Sequence, residues 1–475
     1  MKLRSVFGGI LTGALMMMLA ACGGPASSDE GGGAPAPAPT PVPEGAAESA
    51  TDQPAEPAAP ALRLPEISAE GWGVGERPDP VAVEGPVTVT FWHAIAQRHE
   101  AALLDVIASF EAEYPNINIE PVYQGSYTDL RTALVAALST PNKPVMSQMY
   151  ESWTSQFIEA DLLVPVQAFI NADPTFGDAE LDGYFSSFLE NNRWGETLVT
   201  LPFNKSLYLL FANLDLLEGA GLGVPTTWEE MRTAAQTLTV DNRRGFGVRP
   251  LMETFTPLFL MNGGDFLTAD GQPDLESEAC LETLQCLIDL MHTDDVCYLE
   301  SGYLTAAFAN QSIALLTGSS AGISYTDRQV GDAFRWVVAP LPSHGDNPRR
   351  VLSQGTNVGI YADHDPQTLW AAWEFLKFLT NAESSAHFAA ISGYLPVQRG
   401  SLEVPELANQ IASDPNTAVA TSQLEYAAFE PRMPEWETIR DSLNSLIGQM
   451  LTNSTLTAER IAGRMMREAR QAIED

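Results

Sequence analysis

Leu201–Asn213 reads LPFNKSLYLLFAN, and its interpretation decides the fold. Phe203, Leu207, Leu209, Leu210 and Phe211 suit buried strand positions. Pro202 has no amide hydrogen to give a sheet, so it marks a strand end or a bend. Asn204 and Ser206 are small polar groups in an apolar run, and a buried polar group needs a hydrogen-bonding partner. At the mouth of a cleft, a ligand can be that partner. The stretch therefore reads as a strand leaving one folded half and entering another.

The chain before it divides by composition. Residues 1–21 have a positive start at Lys2 and Arg4, then an apolar run from Val6 to Leu19, the pattern of an export signal. That run is shorter than the ~20 residues of a stable bilayer-spanning helix. It ends in Leu19-Ala20-Ala21-Cys22, which resembles the bacterial lipobox, and the resemblance implies lipidation of Cys22. Residues 22–85 are rich in Pro, Ala and Gly and cannot bury enough apolar surface to offset chain entropy. They are expected to form a tether, of about 45 Å average reach as a coil and roughly 195 Å if fully polyproline-like. About 390 residues follow, a length that suits two domains.

With 61 acids against 25 bases, the formal charge is −36, which argues against a polyanionic partner such as nucleic acid. Cys280, Cys286 and Cys297 are odd in number and do not match a zinc pattern. Cys280 and Cys286 lie on different sides of one helix, so Cys297 is the expected disulfide partner of one of them.

After the tether, Val87–Trp92 alternates as a strand does. The helix Arg98–Tyr114 puts Leu103, Ile107, Phe110 and Tyr114 on one face. Ile117–Val122 reads as a strand. Ser126 and Asp129 form a capping box for a helix with Leu130, Leu134 and Leu138 inside. Val145–Tyr150 is a third strand. Repeated strand–helix–strand order implies a largely parallel sheet covered by helices. Later, Leu214–Ala220, Thr227–Thr237 and Ala279–Met291 read as helices, and Ser312–Thr317, Phe334–Pro340 and Asn357–Tyr361 as strands. Asp365-Pro366 opens a helix, with Asp as the cap and Pro in the first turn. Residues 421–475 are expected to be helical. Two sheets joined by more than one crossing strand give an α/β chain of two lobes about a cleft.

No phosphate loop or metal motif is present, and His93 and His99 are six apart, which does not align them as two ligands on a helix. Polar and aromatic residues gather instead at strand ends and helix starts, where open α/β sheets bind ligands. Trp92 and His93 end the first strand, Tyr127 opens a helix, and Glu151 and Trp153 follow the third strand. Aromatic faces pack on sugars and carboxylates accept from hydroxyls.

These residues fall in blocks that resemble the extracellular solute-binding proteins of ATP-driven sugar importers. The blocks are Thr90–His93, Tyr123–Tyr127, Gln148–Glu151, Leu201–Ser206, Thr317–Ser320, Gln354–Thr356 and Ser392–Pro396, in family order. The glycerol-3-phosphate-binding branch is nearer than the maltose-binding one. The resemblance implies a two-lobe, periplasmic-binding-protein-like fold of type II with several hinge crossings. Its expected lobes are 86–203 with 321–380 and 204–320 with 381–475. It also implies ligand contacts from Tyr127, Glu151, Ser206, Ser319, Gly355 and Tyr394, beside Trp92 and Trp153. It implies a carbohydrate or glycerol-phosphate ligand and a membrane permease as partners, a monomer, and no cofactor or catalysis. The chain departs from the branch where a phosphate-contacting arginine follows a Met-Pro pair. Here Met433-Pro434 precedes Glu435, and Arg440 is the nearest substitute. A phosphate facing a carboxylate costs binding, which favours a neutral sugar. Lys205 stands where the family often has a small residue and is expected to point to solvent. The other readings are a hydrolase that uses Glu151 with a second acid, and an anchored adhesin or sensor.

Overall fold

The computed structural model describes residues 83–474, apart from 138, 139 and 141. The expected signal sequence, Cys22, the tether up to residue 82 and Leu138 lie outside the described residues. The described residues fall within one compact unit, 58–475.

The chain opens with β1 (Val87–His93), β2 (Ile117–Tyr123) and β3 (Met146–Met149). β1 pairs in parallel with both of the others. The helix Arg98–Glu113 connects β1 to β2 and buries Leu103, Ile107 and Phe110, the face expected from their spacing. The helix Tyr127–Ala137 begins at the expected capping box. The Ser126 amide donates to Asp129 Oδ2 at 2.9 Å, and the Asp129 amide donates to Ser126 Oγ at 3.2 Å. β4 (Leu163–Val164) and the small ladder of β5 (Arg193–Trp194) and β6 (Thr197–Leu198) lead to β7, Leu201–Asn213.

Every residue of β7 is buried. Such a strand has core on both faces, which is why it reads as a nearly continuous apolar run. Its first half pairs with β12 (Val351–Tyr361), and its second half with β10 (Ile313–Ser319) and β11 (Trp336–Ala339). β8 (Arg244–Val248) and β9 (Cys297–Leu299) extend the sheet beyond β10 in parallel. The order β2-β1-β3-β12-β7-β10-β8-β9 is continuous. The sheet is thus mixed rather than largely parallel, because β7 runs antiparallel to β10, β11 and β12, and β12 runs antiparallel to β3. Pro202 faces Asn357 just where the β7–β12 register slips, so its missing amide falls at an irregularity.

The C-terminal part differs from an unbroken helical reading. β13 (Ala427–Ala428) pairs with β12, and helices resume only at Trp436–Thr452 and Ala458–Glu474. Pro431 and Pro434 bar a helix between them. This segment is a third crossing. Its Arg432 guanidinium donates to the carbonyls of Glu190 and Arg193, and Gln156 Nε2 donates to the Pro434 carbonyl at 2.7 Å.

Two lobes follow from this topology. One core gathers Phe91, Phe110, Phe169 and Trp373 under β1–β3, with the helix Pro366–Leu379 capped by Asp365 as expected. The other packs the helices Trp228–Leu238, Met252–Met261 and Glu278–Ile288 with the two C-terminal helices. Two expected boundaries move. β11 lies in 321–380 but joins the second half of β7, and the helix Ala382–Ser392 packs on Arg98–Glu113 in the first lobe. Cys280, Cys286 and Cys297 are free thiols, so the expected disulfide is absent. Burial pushes the first two up to about 12, which leaves them protonated and unreactive. No described helix is long and apolar enough to cross a membrane.

Candidate functional site

The carboxyl ends of β1 and β3 lie side by side, where an open α/β sheet leaves a crevice. Gln148 on β3 organises this edge. Its Oε1 accepts from the Ala94 amide at 2.8 Å, and its Nε2 donates to Asn204 Oδ1 and Thr356 Oγ1, both at 2.8 Å. Asn204 Nδ2 donates to the Tyr127 hydroxyl at 2.8 Å, which sits 3.3 Å from the Tyr394 hydroxyl. Gln148, Asn204 and Thr356 are fully buried, and their bonds to one another satisfy groups that would otherwise be costly there. The network joins β3, β7, β12, the start of Tyr127–Ala137 and the loop at Tyr394. Burial, then the neighbouring Tyr394 phenol, pushes the Tyr127 hydroxyl far up, so it remains protonated.

Glu151 starts the helix Glu151–Glu159 directly after β3. Three donors converge on its Oε1: Asn191 Nδ2 at 2.5 Å, Lys205 Nζ at 3.0 Å and Asn357 Nδ2 at 3.1 Å. None of the three engages Oε2. The side chain keeps 14 % exposure, so a hydroxyl can reach the carboxylate. These partners are two amides and an ammonium group.

Lys205 corrects the expectation that it faces solvent. Its side chain is fully buried, and its ammonium group also reaches the Gly355 carbonyl at 3.3 Å and lies over the Phe429 ring. Burial pushes its pKa down while Glu151 opposes the shift. The reason for the placement is physical: a buried ammonium needs an opposite charge, and Glu151 supplies it. A lysine in a strand that is otherwise buried signals such a partner.

The remaining expected residues fall around these groups. Ser206 is nearly buried on β7 beside Lys205, and Ser319 at the end of β10 lies opposite Tyr208. Asn204, Ser206 and Tyr208 alternate along the strand and so share a face. Gly355 pairs with Lys205 and has φ of +104°. A Cβ there would stand 1.9 Å from the Asn204 carbonyl oxygen, so only glycine lets β12 approach. Trp92 is partly exposed and packs on the cluster that also carries Tyr127 and Tyr150. Trp153 departs from the group. It is 3 % exposed inside that cluster and supports the wall from beneath.

Sequence reading passed over Tyr150, which meets the edges of Tyr127 and Trp153 at ring distances of 5.3 and 5.2 Å. It satisfies the strand-end criterion that picked out Trp92. Arg440, the substitute for a phosphate-contacting arginine, is already engaged. Its Nε donates to Glu430 Oε2 at 2.9 Å and its Nη2 to Glu253 Oε1 at 3.0 Å. Those carboxylates hold its pKa well above the ordinary guanidinium range.

Two lobes joined by three crossings, with hydroxyl, amide and carboxylate groups at the sheet edge between them, define a binding protein of the hinged, two-lobe kind. The chain belongs to the bacterial extracellular solute-binding protein family, whose pattern it matches over residues 105–419. It is 24% identical over 355 residues to the sn-glycerol-3-phosphate-binding periplasmic protein UgpB of Escherichia coli strain K12, spanning 71% of this chain and 80% of that one. Its fold is similar to that of the GacH receptor of Streptomyces glaucescens, with a TM-score of 0.71 at 20% identity over 82% of this chain and 100% of the other. UgpB from Mycobacterium tuberculosis, solved with glycerophosphocholine, gives 0.71 at 18% identity over 82% and 99%. The cyclic alpha-maltosyl-1,6-maltose binding protein from Arthrobacter globiformis gives 0.72 at 19% identity over 82% and 100%.

Proposed function

We propose that this chain is the lipid-anchored substrate-binding component of an ABC importer, and that it captures a neutral carbohydrate and passes it to a permease without altering it. Tyr127, Glu151, Ser206, Ser319, Gly355 and Tyr394 contact the ligand, with Trp92 as the aromatic wall and Trp153 behind it. The protein acts as a monomer, without a cofactor, outside the cell membrane and tethered through Cys22.

One observation carries the preference for a neutral ligand over a glycerol phosphate. Arg440, the arginine nearest the position where the phosphate-binding branch holds its anion, is neutralised by Glu253 and Glu430. The sequence there supplies Glu435, and Glu437 follows two residues later in the first turn of the helix Trp436–Thr452. Lys205 is likewise consumed by Glu151. A phosphate dianion would have to displace a carboxylate from each of these cations, which favours hydroxyl-rich ligands by difference. Titration calorimetry tests this with neutral mono- and oligosaccharides, sn-glycerol 3-phosphate and glycerophosphocholine. A neutral saccharide is expected to bind one-to-one and at least about tenfold tighter than either phosphate compound. Tighter binding of a phosphate compound overturns the neutral reading, and release of a cleaved product overturns the binding-only role.

A further inference from the structure

The pair of Lys205 and Glu151 is asymmetric. The ammonium group is sealed from water, while the carboxylate keeps 14 % exposure. A ligand in the cleft therefore meets the anion, and the cation stands behind it. Burying an ammonium group is expensive, and a neutral donor would avoid that cost. The hydrogen bonding of Glu151 does not require the charge. Asn191 Nδ2 and Asn357 Nδ2 already hold Oε1, and both amides come from buried residues. What Lys205 adds to these two donors is one positive charge.

The surroundings give that charge weight. Arg432 lies within electrostatic reach of Glu151, but its guanidinium donates to the carbonyls of Glu190 and Arg193. Arg440 serves both Glu253 and Glu430, so that group formally carries one more negative charge than positive. Glu437 accepts from Ser152 Oγ at 2.7 Å. Glu151, Glu437 and Arg440 all act on the Tyr150 hydroxyl, so these charges share one region. Without Lys205, the carboxylates of Glu151, Glu253, Glu430 and Glu437 would face only Arg432 and Arg440, and Glu151 would be uncompensated.

We propose that Lys205 is a specificity-determining residue. It cancels the charge of Glu151 from behind, so that the cleft accepts a sugar hydroxyl and does not favour a sugar ammonium group. The proposal rests on the carbohydrate reading above and adds to it a discrimination against amino sugars. Hydroxyl and ammonium groups can both donate to Glu151 Oε2, so the hydrogen bond alone does not tell them apart. The difference lies in the charge that an ammonium group would bring to a site already compensated.

Titration calorimetry tests this with matched pairs: glucose and glucosamine, galactose and galactosamine, cellobiose and its diamino counterpart, at a pH where the sugar amine is charged. The proteins are the wild type, Lys205→Met, Lys205→Gln and the double variant Lys205→Met/Glu151→Gln. The wild type is expected to bind the neutral member of a pair at least as tightly as the amino member. Both single variants should shift that ratio at least about tenfold towards the amino sugar. Lys205→Gln keeps a donor for Oε1 without the charge, so it carries the test if Lys205→Met does not fold. The double variant should bind more weakly overall and return the ratio to the wild-type value. Lost packing alone lowers both affinities together and leaves the ratio in place. A smaller shift in the folded single variants, a shift that survives in the double variant, or a wild type that prefers the amino sugar overturns the role of Lys205 and leaves the carbohydrate reading standing. No binding of any of these sugars by the wild type overturns both. Circular dichroism at the titration temperature identifies the folded variants.

Discussion

At the residue scale, Lys205 and Glu151 decide most. An ammonium group with no solvent exposure and a carboxylate in the cleft wall form one unit, and removing one partner leaves the other uncompensated. Lys205→Met is therefore expected to lower unfolding stability by about 2–3 kcal/mol, below the 3–5 typical of fully buried pairs because Glu151 keeps some water. Urea unfolding measures this, and an unchanged midpoint would contradict it. His93 offers a second handle. Burial lowers its pKa to about 4, so the folded state holds it neutral. Its contribution is full above the unfolded value near 6.5 and fades as pH falls towards 4. The melting temperature should decline across that window, and His93→Gln should decline less steeply. Part of this arrangement was legible in the sequence. Asn204 stood out as a polar residue in an apolar strand, and the network confirms that it needed a partner. The partner of Lys205 was not legible, because Glu151 lies 54 residues away and only the folded sheet brings them together.

At the scale of elements, the hinge is made by what β7 and β12 share. β7 is buried on both faces, and Asn213 at its end caps the next helix by accepting the Leu216 amide at 3.0 Å. β12 meets it through Gly355 at the register slip. Gly355→Ala places a methyl group against the Asn204 carbonyl in a backbone conformation that disfavours it, at a cost of roughly 1–3 kcal/mol. Thermal unfolding should show the loss, and ligand affinity should fall with it, because Asn204 and Lys205 both move. A variant with wild-type melting and affinity would contradict this. The strands and capped helices were legible because period and capping are local signals: the Ser126–Asp129 box and the Asp365 cap both form. The extended segment 427–435 was missed despite Pro431 and Pro434, because the apolar residues on either side suggested one long helical tail. The free cysteines were missed because sequence spacing says nothing about where side chains point.

At the scale of the whole molecule, two lobes and three crossings were foreseen in kind, while the mixed sheet and the exchange of β11 and Ala382–Ser392 between lobes were not. Those depend on long-range pairing that no local pattern encodes. The acidic balance, 61 acids to 25 bases, leaves few cations. Lys205 and Arg440 are each tied to carboxylates, so neither is free to hold a phosphate. The central claim is that the cleft holds an intact neutral saccharide. Native mass spectrometry of the freshly purified protein tests it most directly. A one-to-one adduct is predicted, whose mass matches a neutral saccharide and which denaturation releases unchanged. An adduct that proves to be a phosphate ester, or protein that stays ligand-free and takes up no saccharide when mixed with the series above, would contradict it.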